Sequence, residues 1–174
     1  MTFNITSSAF ENNGEIPKKF SGEGEDLSTP LHWQNVLEGT KELVLICDDS
    51  DALATIPWVH WVIYKINPII NQLPEVLPNK LSFDRPIHAV QGKNSWNKTG
   101  YGGPMPPLGL GWCRYIFNLY AISEVVKLKS NNNSRCFARN GTTRGRGEHV
   151  KIRAEKIVKK PNRYSQDPGM EGMI

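Results

Sequence analysis

The sequence has few cysteines, no long apolar run and no targeting signal at its start. Its three cysteines, Cys47, Cys113 and Cys136, form no Cys-x-x-Cys pair and leave one over. Neither a disulfide framework nor a zinc site is therefore predicted, and reduced thiols fit a cytoplasmic protein. Nowhere do about 18 apolar residues follow one another, and residues 1–10 lack a basic region followed by an apolar one. We expect neither a membrane span nor a signal peptide.

Motifs of hydrolytic and nucleotide-dependent enzymes are also missing. The sequence contains no His-Glu-x-x-His metal spacing, no serine in a nucleophile elbow and no phosphate-binding P-loop. No catalytic residue, metal or cofactor is predicted. An Asp/His/Tyr site could still do acid–base chemistry, so a hydrolase or isomerase stays open as the least favoured class.

Positive charge is scarce in the first two thirds of the chain and abundant in the last. Residues 1–123 carry 9 Lys/Arg and 12 Asp/Glu (net −3), and residues 124–174 carry 12 and 5 (net +7), which together give +4. No helix-turn-helix, zinc-finger or RNP pattern accompanies the basic excess. We interpret it as a solvated face and terminus, without a nucleic-acid partner.

The hydrophobic pattern favours strands. Three β-branched and aromatic runs, Glu42–Cys47, Trp58–Ile66 and Tyr115–Ile122, are bounded by Pro, Gly and Asp, and Thr2–Thr6 is a weaker fourth. Prolines interrupt the chain too often for long helices before residue 123. These features predict an all-β sandwich with proline-rich connections.

A short terminal helix is predicted over Gly147–Val158, where apolar residues recur at helical spacing before Lys-Lys-Pro. Residues 129–147 lack that period and contain several glycines, so we expect a loop there. The domain is placed at residues 1–160, and residues 161–174 form a tail.

Glycine and proline are most concentrated at residues 100–107, Gly-Tyr-Gly-Gly-Pro-Met-Pro-Pro. Glycines permit close approach of a backbone to a ligand and prolines fix φ, so the run specifies a rigid loop. Taken alone, such a loop is either an architectural corner or one wall of a site.

A second polar cluster lies between the first two predicted strands. Asp49 and Asp51 follow one strand, and His60 lies two residues into the next. Because side chains alternate along a strand, Trp58 and His60 should share one face, and Val59 and Trp61 the other. A buried histidine needs a partner, and we expect a hydrogen-bonded Asp/His pair. The alternatives are that the aspartates only form a turn and that His60 is a satisfied core residue.

Motifs in a fixed order carry a resemblance to a known family. They are Asp-Ser-Asp-Ala at 49–52, Trp-Val-His-Trp at 58–61, the glycine-rich run at 92–107, Arg-Tyr-Ile-Phe at 114–117, and the N-terminal segments Ile5–Phe10, Gly14–Pro17, Gly24–Ser28 and Pro30–Trp33. Together they resemble the phosphatidylethanolamine-binding protein family, of the bacterial and archaeal type also labelled Raf-kinase-inhibitor-like. The resemblance spans roughly residues 3–123.

The resemblance implies a Greek-key β-sandwich with an anion pocket at one end. It implies a ligand such as phosphate, a phospholipid head group or a carboxylate, and a homodimer is compatible with it. Carried over residue by residue, the ligand-binding set, with Arg114 beside it, is Asp49, Asp51, Trp58, His60, Gly103, Met105, Pro106, Pro107, Cys113 and Tyr115. A protonated His60 and the Tyr115 hydroxyl could donate to anionic oxygens.

The sequence departs from the family pattern at three positions that bear on this pocket. Ser50 and Leu53 replace prolines of the aspartate loop, and Cys113 stands where a second histidine is expected. A thiol is a weaker donor than imidazole, so anion binding should be looser or the preferred ligand different.

Two function classes follow. The first is non-enzymatic binding of a small anion or phospholipid head group, with regulation of partner proteins. The second is inhibition of a serine protease or kinase through exposed loops near the pocket.

Overall fold

The chain folds into two antiparallel β-sheets with very little helix. The computed structural model describes residues 2–107 and 112–125. In chain order the strands are β1 (Asn4–Thr6), β2 (Leu31–Gln34), β3 (Glu42–Asp49), β4 (Trp58–Ile66), β5 (Gln72–Leu73), β6 (Ser82–Phe83), β7 (Ala89–Gln91) and β8 (Tyr115–Ile122). Across these residues the helical content is one 3₁₀ turn, Lys18–Phe20.

One sheet has the strand order β1-β2-β5 and the other β6-β7-β4-β3-β8, with every pair antiparallel. The prediction of a mostly β fold with antiparallel strands is confirmed. Strands β4 and β8 have the predicted bounds, while β3 continues through Asp48 and Asp49, two residues beyond its predicted end. The Greek-key arrangement stays a prediction.

Side chains from both sheets form one hydrophobic core. Trp33 of the small sheet and Leu45, Trp61, Ile63 and Phe117 of the large sheet belong to the same buried cluster. A second cluster, which includes Val44, Ile46, Val59, Val62 and Tyr64, lies on the opposite face of the large sheet. Because β3 is buried on both faces, it reads as a continuous apolar run, and each fully buried aliphatic side chain stabilises the fold by about 1.5–3 kcal/mol.

A β-bulge at His60 changes the direction of the side chains at the start of β4. Cys47 pairs with Trp61 and Asp48 with Val59, so His60 is the extra residue. Val59 consequently joins the outer cluster while Trp61 packs in the core. The prediction that Val59 and Trp61 share a face is therefore wrong, because strict alternation assumes an unbroken strand.

Three loops meet at one end of the large sheet, which we call the Asp49 end. Since β3 runs antiparallel to β4 and β8, the end of β3 lies beside the starts of both neighbours. Strand β7 is antiparallel to β4 and also runs toward this end. Residues 50–57, 92–107 and 112–114 therefore converge there. The opposite end, at the start of β3, we call the Glu42 end.

Several sequence predictions lie outside the described residues. These are the loop at 129–147, the helix at Gly147–Val158 and the boundary between residues 1–160 and the tail. In the part of the chain that the structure describes, no helix has the length and apolarity needed to cross a bilayer.

Candidate functional site at the Asp49 end of the sheet

His60 is held between two aromatic rings and a backbone carbonyl. Its side chain is 3% exposed, and its ring stands nearly perpendicular to those of Trp96 and Tyr115, with centroids 4.8 and 5.0 Å away. Its Nδ1 lies 2.6 Å from the Gly102 oxygen, and the Gly102 N–H donates to the His60 oxygen at 3.0 Å. Residues 92–107, which we call the glycine loop, are thus bonded to both the side chain and the backbone of His60, the bulge residue of β4.

This geometry determines which ring nitrogen is available. A carbonyl only accepts, so Nδ1 of the neutral ring carries the proton and Nε2 has a lone pair. No side chain is bonded to Nε2 within the described residues, where Thr29 Oγ1 is the one sealed side-chain polar atom without a partner. Nε2 is therefore reachable from outside.

Burial decides the charge state of His60. It lowers the pKa of the ring from 6.5 to about 4, although hydrogen bonding to the backbone of Gly102 and Gly103 acts in the opposite direction. The histidine is thus neutral at pH 7 in the free protein.

Asp49 and Tyr115 form the second half of the site. Asp49 ends β3 and lies opposite both Trp58 and Tyr115 in the sheet register. Burial raises the pKa of its carboxyl, while hydrogen bonds from the Asp51 N–H, at 2.9 Å, and from the Tyr115 side chain lower it. Burial and the Asp49 charge raise the pKa of Tyr115. The hydroxyl therefore keeps its proton and donates it toward Asp49.

The expected hydrogen bond between an aspartate and His60 is wrong, because each group has another partner. His60 bonds Gly102, and Asp49 bonds Tyr115. The glycine loop brings a carbonyl from 42 residues along the chain to the buried Nδ1. The predicted common face of Trp58 and His60 is confirmed, because both rings contact Trp96.

Asp51 has a different partner from Asp49. Its carboxylate accepts the Arg114 guanidinium at 2.6–3.0 Å and the Arg114 backbone N–H at 2.7 Å. The Arg114 side chain holds the pKa of Asp51 below its usual value. This ion pair ties the 50–57 loop to the start of β8, and it engages the carboxylate assigned to the ligand.

The glycine loop depends on residues that the sequence analysis did not single out. The buried Asn94 accepts the N–H groups of Trp96 and Lys98 at 3.1 and 3.0 Å and so shapes the turn that carries Trp96. A Cβ on Gly102 would lie 3.0 Å from the Trp96 ring. A larger residue at this position would have to displace the Trp96 ring, so glycine favours the close aromatic packing on His60. The tryptophan within a glycine-rich run was the available signal.

Gly103, whose backbone also acts on the His60 ring, is anchored from its other side. Its N–H donates to Asp26 at 2.5 Å, and an added Cβ would collide with the Phe20 oxygen. A backbone amide assigned to the ligand is thus already bonded within the fold. The Gly102–Gly103 segment is held from both sides.

The remaining predicted ligand residues lie apart from these contacts. Met105 is exposed and packs beside Gly22, Pro106 is partly buried and Pro107 is exposed. Cys113 is buried in the shared core and is in no disulfide. The contacts described above bring together Asp49, Trp58, His60 and Tyr115, with Trp96 and Gly102 added, and we call these six residues the His60 site.

The arrangement offers hydrogen-bonding groups but no metal centre. Within residues 2–107 and 112–125, no three His, Cys, Asp or Glu side chains are grouped to hold a metal ion. The polar atoms of the site can exchange hydrogen bonds with a small polar ligand in an aromatic surround.

Known proteins resemble this chain in both sequence and fold. The family model described as phosphatidylethanolamine-binding protein matches residues 6–153. A UPF0098 protein of Pyrococcus horikoshii is 40% identical over 124 residues, which are 71% of this chain and 61% of the relative. The chain thus spans less than two thirds of that relative's length.

Two solved structures extend the comparison. One is a phosphatidylethanolamine-binding protein homologue from Chlamydia trachomatis, with a TM-score of 0.72 and 30% identity, covering 95% of this chain and 99% of that one. The other is Escherichia coli YbcL, described as a member of the mammalian family, with a TM-score of 0.80 and 25% identity, covering 92% and 99%.

Proposed function

The chain belongs to the phosphatidylethanolamine-binding protein family, and on that premise we propose that its His60 site binds a small anionic ligand without turning it over. The ligand class comprises phosphate, a phospholipid head group and a carboxylate. Regulation of partner proteins by the occupied site belongs to the same proposal, as does a cytoplasmic location.

The observation that carries the proposal is the open Nε2 of His60. Nε2 belongs to a ring that is 3% exposed, yet it is reachable from outside, so a ligand atom can bond it in place of water. Its neighbours are rigid, because Nδ1 is bonded to Gly102 and the ring is packed between Trp96 and Tyr115. A ligand atom at Nε2 would complete the hydrogen bonding at little cost in ordering.

A binding role also fits the partners of His60 better than a catalytic one. Where histidine acts as a general base, a nucleophile usually lies at one nitrogen and an orienting group at the other. The orienting group is present as the Gly102 carbonyl. No serine or threonine hydroxyl of the described residues is hydrogen-bonded to the His60 ring.

Ligand-dependent stabilisation tests this proposal. Phosphate, acetate or phosphoethanolamine at 100 times its Kd should stabilise the protein by about 2.7 kcal/mol and raise its Tm. His60→Ala should abolish the shift. His88→Ala is the matched control, because His88 is largely exposed and paired with Asp84. A wild-type Tm indifferent to the whole panel would reject the proposal.

A second candidate function is inhibition of a serine protease or kinase. Large apolar side chains are exposed on loops of the Asp49 end: Leu53 is 84% exposed, Ile56 53% and Trp112 45%. Exposed apolar side chains grouped in this way are typical of protein contact sites. Stoichiometric protein should then slow the target enzyme, and Leu53→Asp should relieve inhibition while His60→Ala does not. A homodimer through these loops would show the same dependence on Leu53.

A further inference from the structure

The polar atoms of the His60 site are mostly acceptors at neutral pH. Nε2 of the neutral ring has a lone pair because Nδ1 donates to Gly102. Asp49 is a buried carboxylate, and the Tyr115 hydroxyl proton is directed toward it. A fully deprotonated oxyanion placed here would meet lone pairs and a negative charge.

Charged and titratable groups near the site do not reverse this excess of hydrogen-bond acceptors over donors. The titratable groups near the site are Asp49 on β3, Tyr115 on β8, Cys113 just before β8, and Asp26, which accepts the Gly103 N–H behind the glycine loop. The turn that carries Trp96 also carries Lys93 and Lys98, but the ring of Trp96 is the part of that turn against His60. Arg114 is engaged with Asp51.

We propose that the His60 site selects oxyanions that carry their own proton, with the P–OH of a protonated phosphate donating its hydrogen bond to Nε2 of neutral His60. The inference rests on the proposed anion binding and narrows its ligand class to phosphates that keep a proton, because a carboxylate and a phosphodiester head group have none to donate at neutral pH. A phosphate that keeps a proton at neutral pH satisfies Nε2, whereas sulfate, with the same shape, has no proton to donate.

The alternative route is for His60 to take a proton when the anion arrives. With a pKa of about 4, about one free molecule in a hundred has a protonated ring at pH 6. An anion that requires the charged ring is weakened by about that factor before its own attraction is counted. Phosphate avoids this loss and sulfate does not.

Calorimetric titration of the full chain at pH 6 with inorganic phosphate and with sulfate, at matched ionic strength, tests the proposal. Phosphate should bind at least ten times more tightly. Repeating the titration in two buffers with different ionisation enthalpies should show no uptake of a proton by the protein when phosphate binds.

Three outcomes are distinguishable. Equal affinities, with uptake of about one proton for each anion, would overturn the selectivity while leaving anion binding intact. Binding of neither anion would overturn both this inference and the proposed function. A tenfold preference for phosphate without proton uptake supports both.

A conservative variant of His60 and a measurement on the wild-type protein test the proposal even if a more drastic variant fails to fold. His60→Asn can keep an amide donor toward Gly102 but removes Nε2, so the preference should fall below about threefold, whereas His88→Asn should keep it. In wild-type protein, nitrogen NMR of the phosphate complex should show His60 neutral with its proton on Nδ1. A doubly protonated His60 ring in that complex would overturn the proposal.

Discussion

The two ends of the large sheet each combine a buried acidic side chain with an irregular strand, but the buried polar groups have different partners. Each end has a buried acid of β3 and an irregularity in β4: Asp49 with the bulge at His60, and Glu42 with a register shift beside Lys65. At the Glu42 end the carboxylate accepts the Lys65 N–H at 2.8 Å, where Lys65 has a φ of +59°. The acid there satisfies a strained backbone, while at the Asp49 end the bulge leaves a ring nitrogen open.

The comparison separates structural from functional burial. A buried polar group whose partners all lie within the fold stabilises it, whereas one with an atom that is reachable from outside can also bond a ligand. Glu42 and His60 are both 3% exposed, so burial alone does not distinguish them. Their partners do.

The largest expected effect is a loss of stability when the hydrogen bond at the Glu42 end is removed. Glu42→Ala removes the acceptor of the Lys65 N–H and should lower the free energy of unfolding by about 1–3 kcal/mol, with the phosphate-dependent Tm shift unchanged. Chemical denaturation measures the loss. Glu42→Gln keeps an acceptor and should lose less, and Glu38→Ala, at an exposed position, should be neutral. A lost phosphate shift in Glu42→Ala would show that the two ends are not independent.

The next effect comes from protonation at the Asp49 end. Because the folded-state pKa of His60 is lowered from 6.5 to about 4, the unfolded chain binds more protons, and stability falls as the pH drops from 6.5 toward 4. Between pH 7 and 5 the loss should be about 2 kcal/mol. The raised pKa of Asp49 acts oppositely and adds stability only as the pH approaches that pKa. Denaturation of the ligand-free protein at both pH values, with His60→Ala flattening the difference, measures this.

A third change sharpens the role of Asp49. Asp49→Asn removes a negative charge from the His60 site but keeps an oxygen for the Asp51 N–H. Sulfate affinity should rise about tenfold, or roughly 1.4 kcal/mol, and phosphate affinity should rise less. Calorimetric titration of the variant with each anion measures both affinities. A fall in affinity for both anions would show that the carboxylate itself contacts the ligand as an acceptor.

The smallest effect concerns Asp51 and Arg114. Their ion pair is well formed but partly exposed, with side chains 25% and 49% accessible. A double-mutant cycle with Asp51→Ala and Arg114→Ala should give a coupling energy of about 0.2–1 kcal/mol. A value well above 2 kcal/mol would mean that this pair, and not the core, fixes the 50–57 loop.

Sequence reasoning predicted what depends on local pattern. The bounds of β4 and β8 followed from apolar runs, and four residues of the His60 site, Asp49, Trp58, His60 and Tyr115, belong to the set carried over from the resemblance. The short strands β2, β5, β6 and β7 were missed, because segments of two to four residues are defined by their pairing and have no pattern of their own.

The details that define the site depend on distant contacts. The bulge at His60 is set by the register between β3 and β4, which no single strand encodes. The Gly102 carbonyl reaches Nδ1 from a loop 42 residues away, so the Asp/His pair was expected where a backbone acceptor is present. These two contacts decide which nitrogen faces the ligand.

A crystal structure of the protein soaked in inorganic phosphate tests the central claim most directly. We predict one phosphate beside His60, with an oxygen within hydrogen-bond distance of Nε2 and with Nδ1 still bonded to the Gly102 carbonyl. A phosphate bound elsewhere on the protein, with Nε2 facing only solvent at saturating concentration, would contradict it.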